Sequence, residues 1–394
     1  MLRRKKPKVF LWIGFTFIVI VCVVVNFSTM KMKSTTCTID VMDNSNNNIN
    51  ESSNIRSKTL MKMSLKEFME VNQRLSPQTS ISNNVVKNDA TLSSSCECGC
   101  YRSRIKSCPR QYNIHDVIRS SNVHLTRDII DYMDFELLKR KRQSQQACQI
   151  RLTNNNHDNN NESNGGGGQD VERDHTESGG YCLHKKSTYR GKNAIKIPFS
   201  NRDILLPVSH VNAPAYLIES LQKFIQKEQN KNNMNSISDF GAGVGQYGSN
   251  LESLFPDTLL YRGYDGAGDV EDYTFGYLQF FDLTIPLNLP VSDWVLSLEV
   301  GEHIPSQSEG MMIRNLHAHN CKGIILSWGI EGQGGDNHIN LHNNDYVIQI
   351  FEELGYNYDK SETDLLRNSI PEGKVNGFWF KNSLMVFRRT EPVC

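Results

Sequence analysis

The strand-like segment Ser236 to Phe240 ends abruptly at Gly241-Ala-Gly-Val-Gly-Gln-Tyr-Gly248, and a helical pattern follows it. This strand, glycine turn and helix constrain the chain more than any other feature. Glycines let the backbone bend sharply and approach a ligand closely, and the helix that follows offers unpaired N–H groups at its amino terminus. Leu259 to Asp265 reads as the next strand, with Asp265 at its carboxyl end, 20 residues beyond Gly245. A carboxylate placed there can accept hydrogen bonds from both ribose hydroxyls of an adenosine ligand. The glycines alone leave open a nicotinamide cofactor or a tight turn that binds nothing. Together with Asp265 they point to a nucleoside cofactor.

From about residue 200 onward, helical and strand signals alternate. Tyr216 to Gln229 reads as a helix with Leu217, Leu221, Phe224 and Ile225 on one side. Such alternation indicates an α/β domain with a parallel sheet covered by helices on both faces. Asp239-Phe-Gly-Ala-Gly-Val-Gly245, Asp265, Phe281-Asp282 and Asp293-Trp-Val-Leu-Ser-Leu-Glu-Val-Gly-Glu-His-Ile-Pro305 resemble the ordered motifs of the class I S-adenosylmethionine-dependent methyltransferases. The resemblance covers residues 200 to 390, half of the chain. It implies that Asp239 lies near the methionine part of the cofactor and that Gly241, Gly243 and Gly245 let the cofactor pack closely. Asp265 would hold the ribose, and Asp282, with Leu283 beside it, would face the adenine amino group. It further implies a Rossmann-like, seven-stranded, mostly parallel sheet, completed by strands near Tyr356 to Ser361 and an antiparallel last strand near Ser383 to Arg389. A dehydrogenase is disfavoured, because no downstream segment resembles a nicotinamide site.

Methyl transfer needs a nucleophile held in line with an electrophilic methyl group, so positioning and deprotonation carry the catalysis. Ligands of open α/β sheets bind at the carboxyl ends of the strands. Glu299, Glu302 and His303 fall at the end of the fourth strand. His338, Asn340 and His342 follow the fifth, Gly323 to Trp328, after the glycine-rich Gly332 to Gly335. Carboxylates and imidazoles so grouped can hold a divalent cation such as Mg. The pattern resembles the metal site of the small-RNA terminal ribose 2′-O-methyltransferases and, more loosely, that of the ubiquinone-pathway O-methyltransferases. That resemblance implies Glu299, Glu302, His303 and His338 as ligands, with His342 as a substitute for the last. The spacer between the two halves is short here, and nothing resembles an RNA-binding module. The metal-free alternative makes His303 a base, in a catalytic set of His303, Glu302 and His338. A third reading has Glu-His-Ile merely capping a helix. His317 and His319 are expected on the surface of the intervening helix.

The amino-terminal half has a different character. Five basic residues stand within the first eight, and the apolar run Val9 to Phe27 is long enough to cross a bilayer. The heavier positive charge before the run predicts a cytosolic tail over 1–8, a signal anchor over 9–27 and a lumenal remainder, a type II topology. A cleaved signal peptide is the alternative. Residues 28–95 read as a largely disordered stem, in which the patch Leu65 to Val71 is too short to build a core. Residues 96–199 read as a cysteine-containing segment, helical over Val117 to Leu138, with a disordered low-complexity loop over 154–169. Residues 200–394 form the methyltransferase domain.

Nine of the ten cysteines follow the apolar run. In an oxidising compartment these are disulfides rather than zinc ligands. Cys148 and Cys182 bracket the low-complexity loop and are placed to staple its base. The odd lumenal count leaves one thiol free or bridging a disulfide-linked dimer. Asn50-Glu-Ser and Asn161-Glu-Ser are glycosylation sequons. Equal numbers of basic and acidic residues, 43 each, exclude nucleic-acid binding driven by overall charge. The combined expectation is a Golgi membrane enzyme that O-methylates a glycan or another hydroxyl-bearing lumenal acceptor. The alternatives are a methyltransferase-fold binding protein without activity and a cell-surface interaction protein.

Overall fold

A computed structural model describes residues 60–77, 110–157, 176, 178–183, 194–198, 200–207, 210–373 and 375–394. The apolar run 9–27, both sequons and the cluster Cys96 to Cys108 lie outside the described residues. Among the described residues, no helix is long and apolar enough to cross a membrane.

The helices are α1 (Leu65–Leu75), α2 (Ile114–Ser121), α3 (Arg127–His157), α4 (Ala215–Asn232), α5 (Gln246–Leu254), α6 (Val270–Tyr273), α7 (Glu309–Ala318), α8 (Asn344–Glu353), α9 (Lys360–Asn368) and α10 (Phe380–Ser383). A short antiparallel pair, β1 (Ala194–Lys196) and β2 (Asp203–Leu205), precedes the main sheet. That sheet contains β3 (Ser236–Phe240), β4 (Leu260–Asp265), β5 (Gln279–Phe280), β6 (Ser292–Leu298), β7 (Asn320–Ser327), β8 (Tyr356–Tyr358) and β9 (Leu384–Arg389). Its order is β5-β4-β3-β6-β7-β9-β8. Only β9 runs against the rest, inserted between β7 and β8. The seven-stranded sheet with an antiparallel last strand is therefore present.

Both faces of this sheet are covered, so successive residues of a central strand are buried whichever way they point, as all five of β3 are. Successive side chains of β6 show the division. Trp294 and Leu296 pack with Leu217, Leu221 and Phe224 of α4, whereas Val295 joins Met311, Ile313 and Phe351 on the opposite face.

The structure corrects four expectations. Leu65–Leu75 is not disordered stem but a helix opened by a capping box between Ser64 and Glu67. Its Phe68 and Val71 are buried with Met63, Val123, Ile129 and Met133, so a patch too short for its own core borrows one from α3. The single helix expected over Val117 to Leu138 is two, divided at Asn122, whose N–H closes the last turn of α2. Helix α3 continues to His157, past the start of the expected loop at 154. Finally, His317 and His319 are buried, because both face the sheet side, where Tyr356 of β8 meets His317 and Phe240 of β3 meets His319. His317 Nδ1 pairs with the Tyr356 hydroxyl at 3.0 Å, and His319 Nε2 accepts from the Leu289 N–H at 3.2 Å. Burial, with Arg314 nearby, pushes His319 down to about 3.

Candidate active site

A cavity of about 290 Å³ opens at the carboxyl ends of β3, β4 and β6. Gly241, Gly243 and Gly245 all have left-handed φ angles of 82°, 62° and 86°. A Cβ on Gly241 would lie 2.3 Å from Val300, and one on Gly245 would lie 2.5 Å from Tyr277. Gly241 and Gly243 line the cavity. Gly245 makes the turn into α5.

Asp265 lines the cavity at the end of β4. Its Oδ2 accepts from the Gly243 N–H at 2.8 Å, and its Oδ1 from the Ala267 N–H at 2.9 Å. Each oxygen retains a further lone pair for a hydroxyl donor. Burial pushes this carboxyl up to about 6, against the pull of these backbone donors. Asp282 and Leu283 line the wall beyond. Asp282 Oδ1 is taken by the Thr284 N–H at 2.8 Å and hydroxyl at 2.6 Å, but its buried Oδ2 accepts no hydrogen bond. The nearest cation is Arg140, 3.9 Å away. An orphaned acceptor in the wall fits an exocyclic amino donor such as that of adenine.

Asp239 is buried beneath the cavity rather than lining it, and it accepts from the Tyr261 hydroxyl at 3.0 Å. Burial, with Asp265 nearby, raises it to about 7 against that hydrogen bond. A group whose folded pKa exceeds its unfolded value near 3.9 favours folding when protonated. Stability therefore falls as pH rises from about 4 to about 7. Asp239→Asn, which keeps an acceptor for Tyr261, is expected to abolish this slope. Urea melts at pH 5 and pH 8 should then differ less in the variant than in the wild type, by roughly 2–4 kcal/mol.

The opposite wall carries the carboxylates and histidines. Glu299, immediately after β6, adopts a left-handed φ of 57°, uncommon for a side chain of its kind. Its carboxylate accepts from Gln333 Nε2 and from the Ser383 hydroxyl. Glu302 is fully buried, and neither of its oxygens has a hydrogen-bond partner. Burial first, and then the charge of Glu299, hold its carboxyl well above the ordinary range. Ligand atoms of Glu302, His303 and His338 lie within 4.8 Å of one another. His338 Nε2 is 4.0 Å from Glu302 Oε1. His342 Nε2 is bonded to Glu309 Oε2 at 2.6 Å, beside Asn340 and Tyr346, which bond the same carboxylate, and the ligand atoms that converge are those of Glu302, His303 and His338. The catalytic set named from sequence thus converges, and the metal set contracts to Glu302, His303 and His338, with Glu299 adjacent.

One wall was not legible in the sequence. Ser178 to Tyr181, well outside the resemblance, line the cavity, as do His210 and Trp379. A Cβ on Gly179 would lie 2.4 Å from the His303 carbonyl, and one on Gly180 would lie 2.1 Å from the Gly266 carbonyl. The Cys148–Cys182 disulfide, expected from spacing, ties this strap to α3. A second disulfide joins Cys321 and Cys394. The only signal for the strap is the pair Gly179-Gly180 beside a bridged cysteine.

No sequence family and no curated protein matches the chain. Similar solved structures include magnesium protoporphyrin IX methyltransferase from Synechocystis with bound SAM, at 15% identity over 46% of this chain and 87% of that one, TM-score 0.33. They also include a SAM-bound amino pentose methyltransferase of calicheamicin biosynthesis from Micromonospora echinaspora, at 12% identity over 45% and 93%, TM-score 0.33. A plantazolicin methyltransferase in complex with a substrate analogue and SAH aligns at 12% identity over 44% and 84%, TM-score 0.33. The likeness extends over less than half of this chain. Independently of it, the strand order, the antiparallel β9 and the glycine turn after β3 give the chain the class I methyltransferase fold that its motifs imply.

Proposed function

We propose that the chain is an S-adenosylmethionine-dependent methyltransferase that O-methylates a hydroxyl of a glycan or other lumenal acceptor. The observation that carries this reading is the make-up of one cavity. Asp265 and the orphaned Oδ2 of Asp282 stand on one side, suited to a ribose and an adenine, while His303, His338 and the Glu299–Glu302 carboxylates stand on the other. The cofactor, when bound, supplies an electrophilic methyl carbon on a sulfonium. His303 would receive the acceptor's proton as the methyl carbon passes from sulfur to the acceptor oxygen, the carbon–sulfur bond breaking and the cofactor leaving as the neutral thioether, and His338 packs edge-on against that ring. Tyr181 and Trp379 border the acceptor side.

Location in the secretory pathway, in Golgi membranes with a type II anchor, is part of the same proposal. It is supported by the apolar run near the amino terminus and by two disulfides, which persist in oxidising compartments. A disulfide-linked dimer would use one of the cysteines outside the described residues.

A second reading adds a divalent cation. It is favoured by Glu302, whose two buried oxygens lack partners and face a second carboxylate; a cation would offset that repulsion and accept His303 and His338 as further ligands.

The test is transfer of labelled methyl from S-adenosylmethionine to glycoprotein by the full chain and by Glu302→Gln. The expected result is transfer by the wild type, reduced at least about a hundredfold in the variant. Equal activity of the two would reject the site. Cofactor binding with no transfer to any acceptor would favour the non-catalytic binding protein.

A further inference from the structure

Tyr181 belongs to the strap, not to the methyltransferase fold, yet its hydroxyl lies 3.3 Å from His303 Nδ1. The same hydroxyl donates its proton to the Asp336 carbonyl at 3.0 Å. A phenol has one proton, so toward His303 it offers lone pairs. Nδ1 also lies 3.2 Å from the Asn337 carbonyl, which is always an acceptor. Asn337 itself has a left-handed φ of 55°, a conformation that asparagine tolerates better than most residues. Nδ1 therefore faces two acceptors.

Resting on the methyltransferase reading above, we propose that Tyr181 is a positioning residue. With the Asn337 carbonyl, it holds the proton of neutral His303 on Nδ1, so that Nε2 carries the lone pair that takes up the acceptor's proton. In a neutral imidazole the two nitrogens have opposite roles, and the partner of one decides the role of the other. With the opposite tautomer, Nδ1 would hold the lone pair against two oxygens, and Nε2 would already be protonated.

The strap is built to keep this contact in place. Cys182, next to Tyr181, is bridged to Cys148 of α3. The Leu183 N–H donates to both oxygens of Asp269, at 2.9 and 3.1 Å. Gly179 and Gly180 pass so close to the His303 and Gly266 carbonyls that any side chain there would displace the strap. Tyr181 also packs edge-on against the His303 ring, with centroids 5.5 Å apart. Burial pushes the Tyr181 hydroxyl well above its ordinary range, which keeps its proton available for Asp336. A segment far upstream in sequence thus completes a base that belongs to the fold's fourth strand.

The experiment is long-range nitrogen–proton correlation NMR on the full chain carrying nitrogen-15 histidine, at a pH where the ring is neutral. His303→Gln identifies the His303 signals among the 11 histidines. In the wild type, His303 is expected to show the Nδ1–H pattern. In Tyr181→Phe, which keeps the ring but removes the hydroxyl, the Nε2–H population is expected to rise about fivefold, the weight of one hydrogen bond. A wild-type His303 in the Nε2–H form, or a tautomer ratio unmoved in Tyr181→Phe, would overturn the proposal. Should Tyr181→Phe fail to fold, the wild-type pattern alone decides. Absence of S-adenosylhomocysteine binding by the wild type would instead defeat the methyltransferase reading, whichever tautomer is found.

Discussion

Asp265→Ala is expected to weaken binding of S-adenosylmethionine by two orders of magnitude or more. The carboxylate has two tasks that alanine cannot perform. Toward the ligand, on the proposed reading, its remaining lone pairs would accept two ribose hydroxyls, and hydrogen bonds to a charged group contribute about 1.5–3 kcal/mol each. Toward the protein, it accepts the N–H groups of Gly243 and Ala267, which hold the glycine turn against the end of β4. Its removal therefore costs both contacts and preorganisation. Equilibrium dialysis with labelled cofactor measures the loss, and an unliganded melt within a few degrees of wild type would show that the fold survives. Retention of wild-type affinity would remove Asp265 from the site.

The second large effect is on stability. Glu309 sits in α7 and is 3% exposed, so its fate is decided by partners rather than by water. Oε2 accepts from His342 at 2.6 Å and Asn340 at 3.0 Å, and Oε1 from the Tyr346 hydroxyl at 2.6 Å. Burial alone would raise its pKa, but His342, Tyr346 and Asn340 outweigh it and hold the carboxyl below its usual value. Glu309→Ala would leave three buried donors without an acceptor. The expected destabilisation is about 3–5 kcal/mol, read as a lower urea midpoint with an unchanged slope. The group's linkage has the opposite sign to that of Asp239. Its stabilisation is present above the unfolded pKa and is lost as pH falls through the lower folded value. Because His342 and Asn340 lie on the loop that carries His338, the variant is also expected to loosen the catalytic wall.

The parts of this fold that were legible in the sequence are those whose cause is local. The glycine turn after β3 was legible because left-handed φ angles demand glycine. Asp265 followed from its spacing, and the Cys148–Cys182 staple from the loop it brackets. What was not legible depends on partners far away in the chain. Leu65–Leu75 is too short to be stable alone and folds only because α2 and α3 return to it. His317 and His319, at the end of α7, are buried against Tyr356 and Phe240, which lie 39 and 79 residues away in the chain. The choice between His338 and His342 turned on Glu309, 33 residues from His342, and no spacing rule connects them. Tyr181 was missed for the same reason: nothing in Gly179-Gly180-Tyr181-Cys182 announces that it will rest on a histidine 122 residues downstream.

The central claim is that the glycine turn and Asp265 together hold an adenosyl sulfonium compound. Calorimetric titration of S-adenosylhomocysteine into the folded full chain tests it most directly. The expected result is saturable heat at one ligand per chain, with a Kd of about 10 μM or tighter. No heat at ligand concentrations up to the millimolar range, from protein that still melts cooperatively, would contradict it.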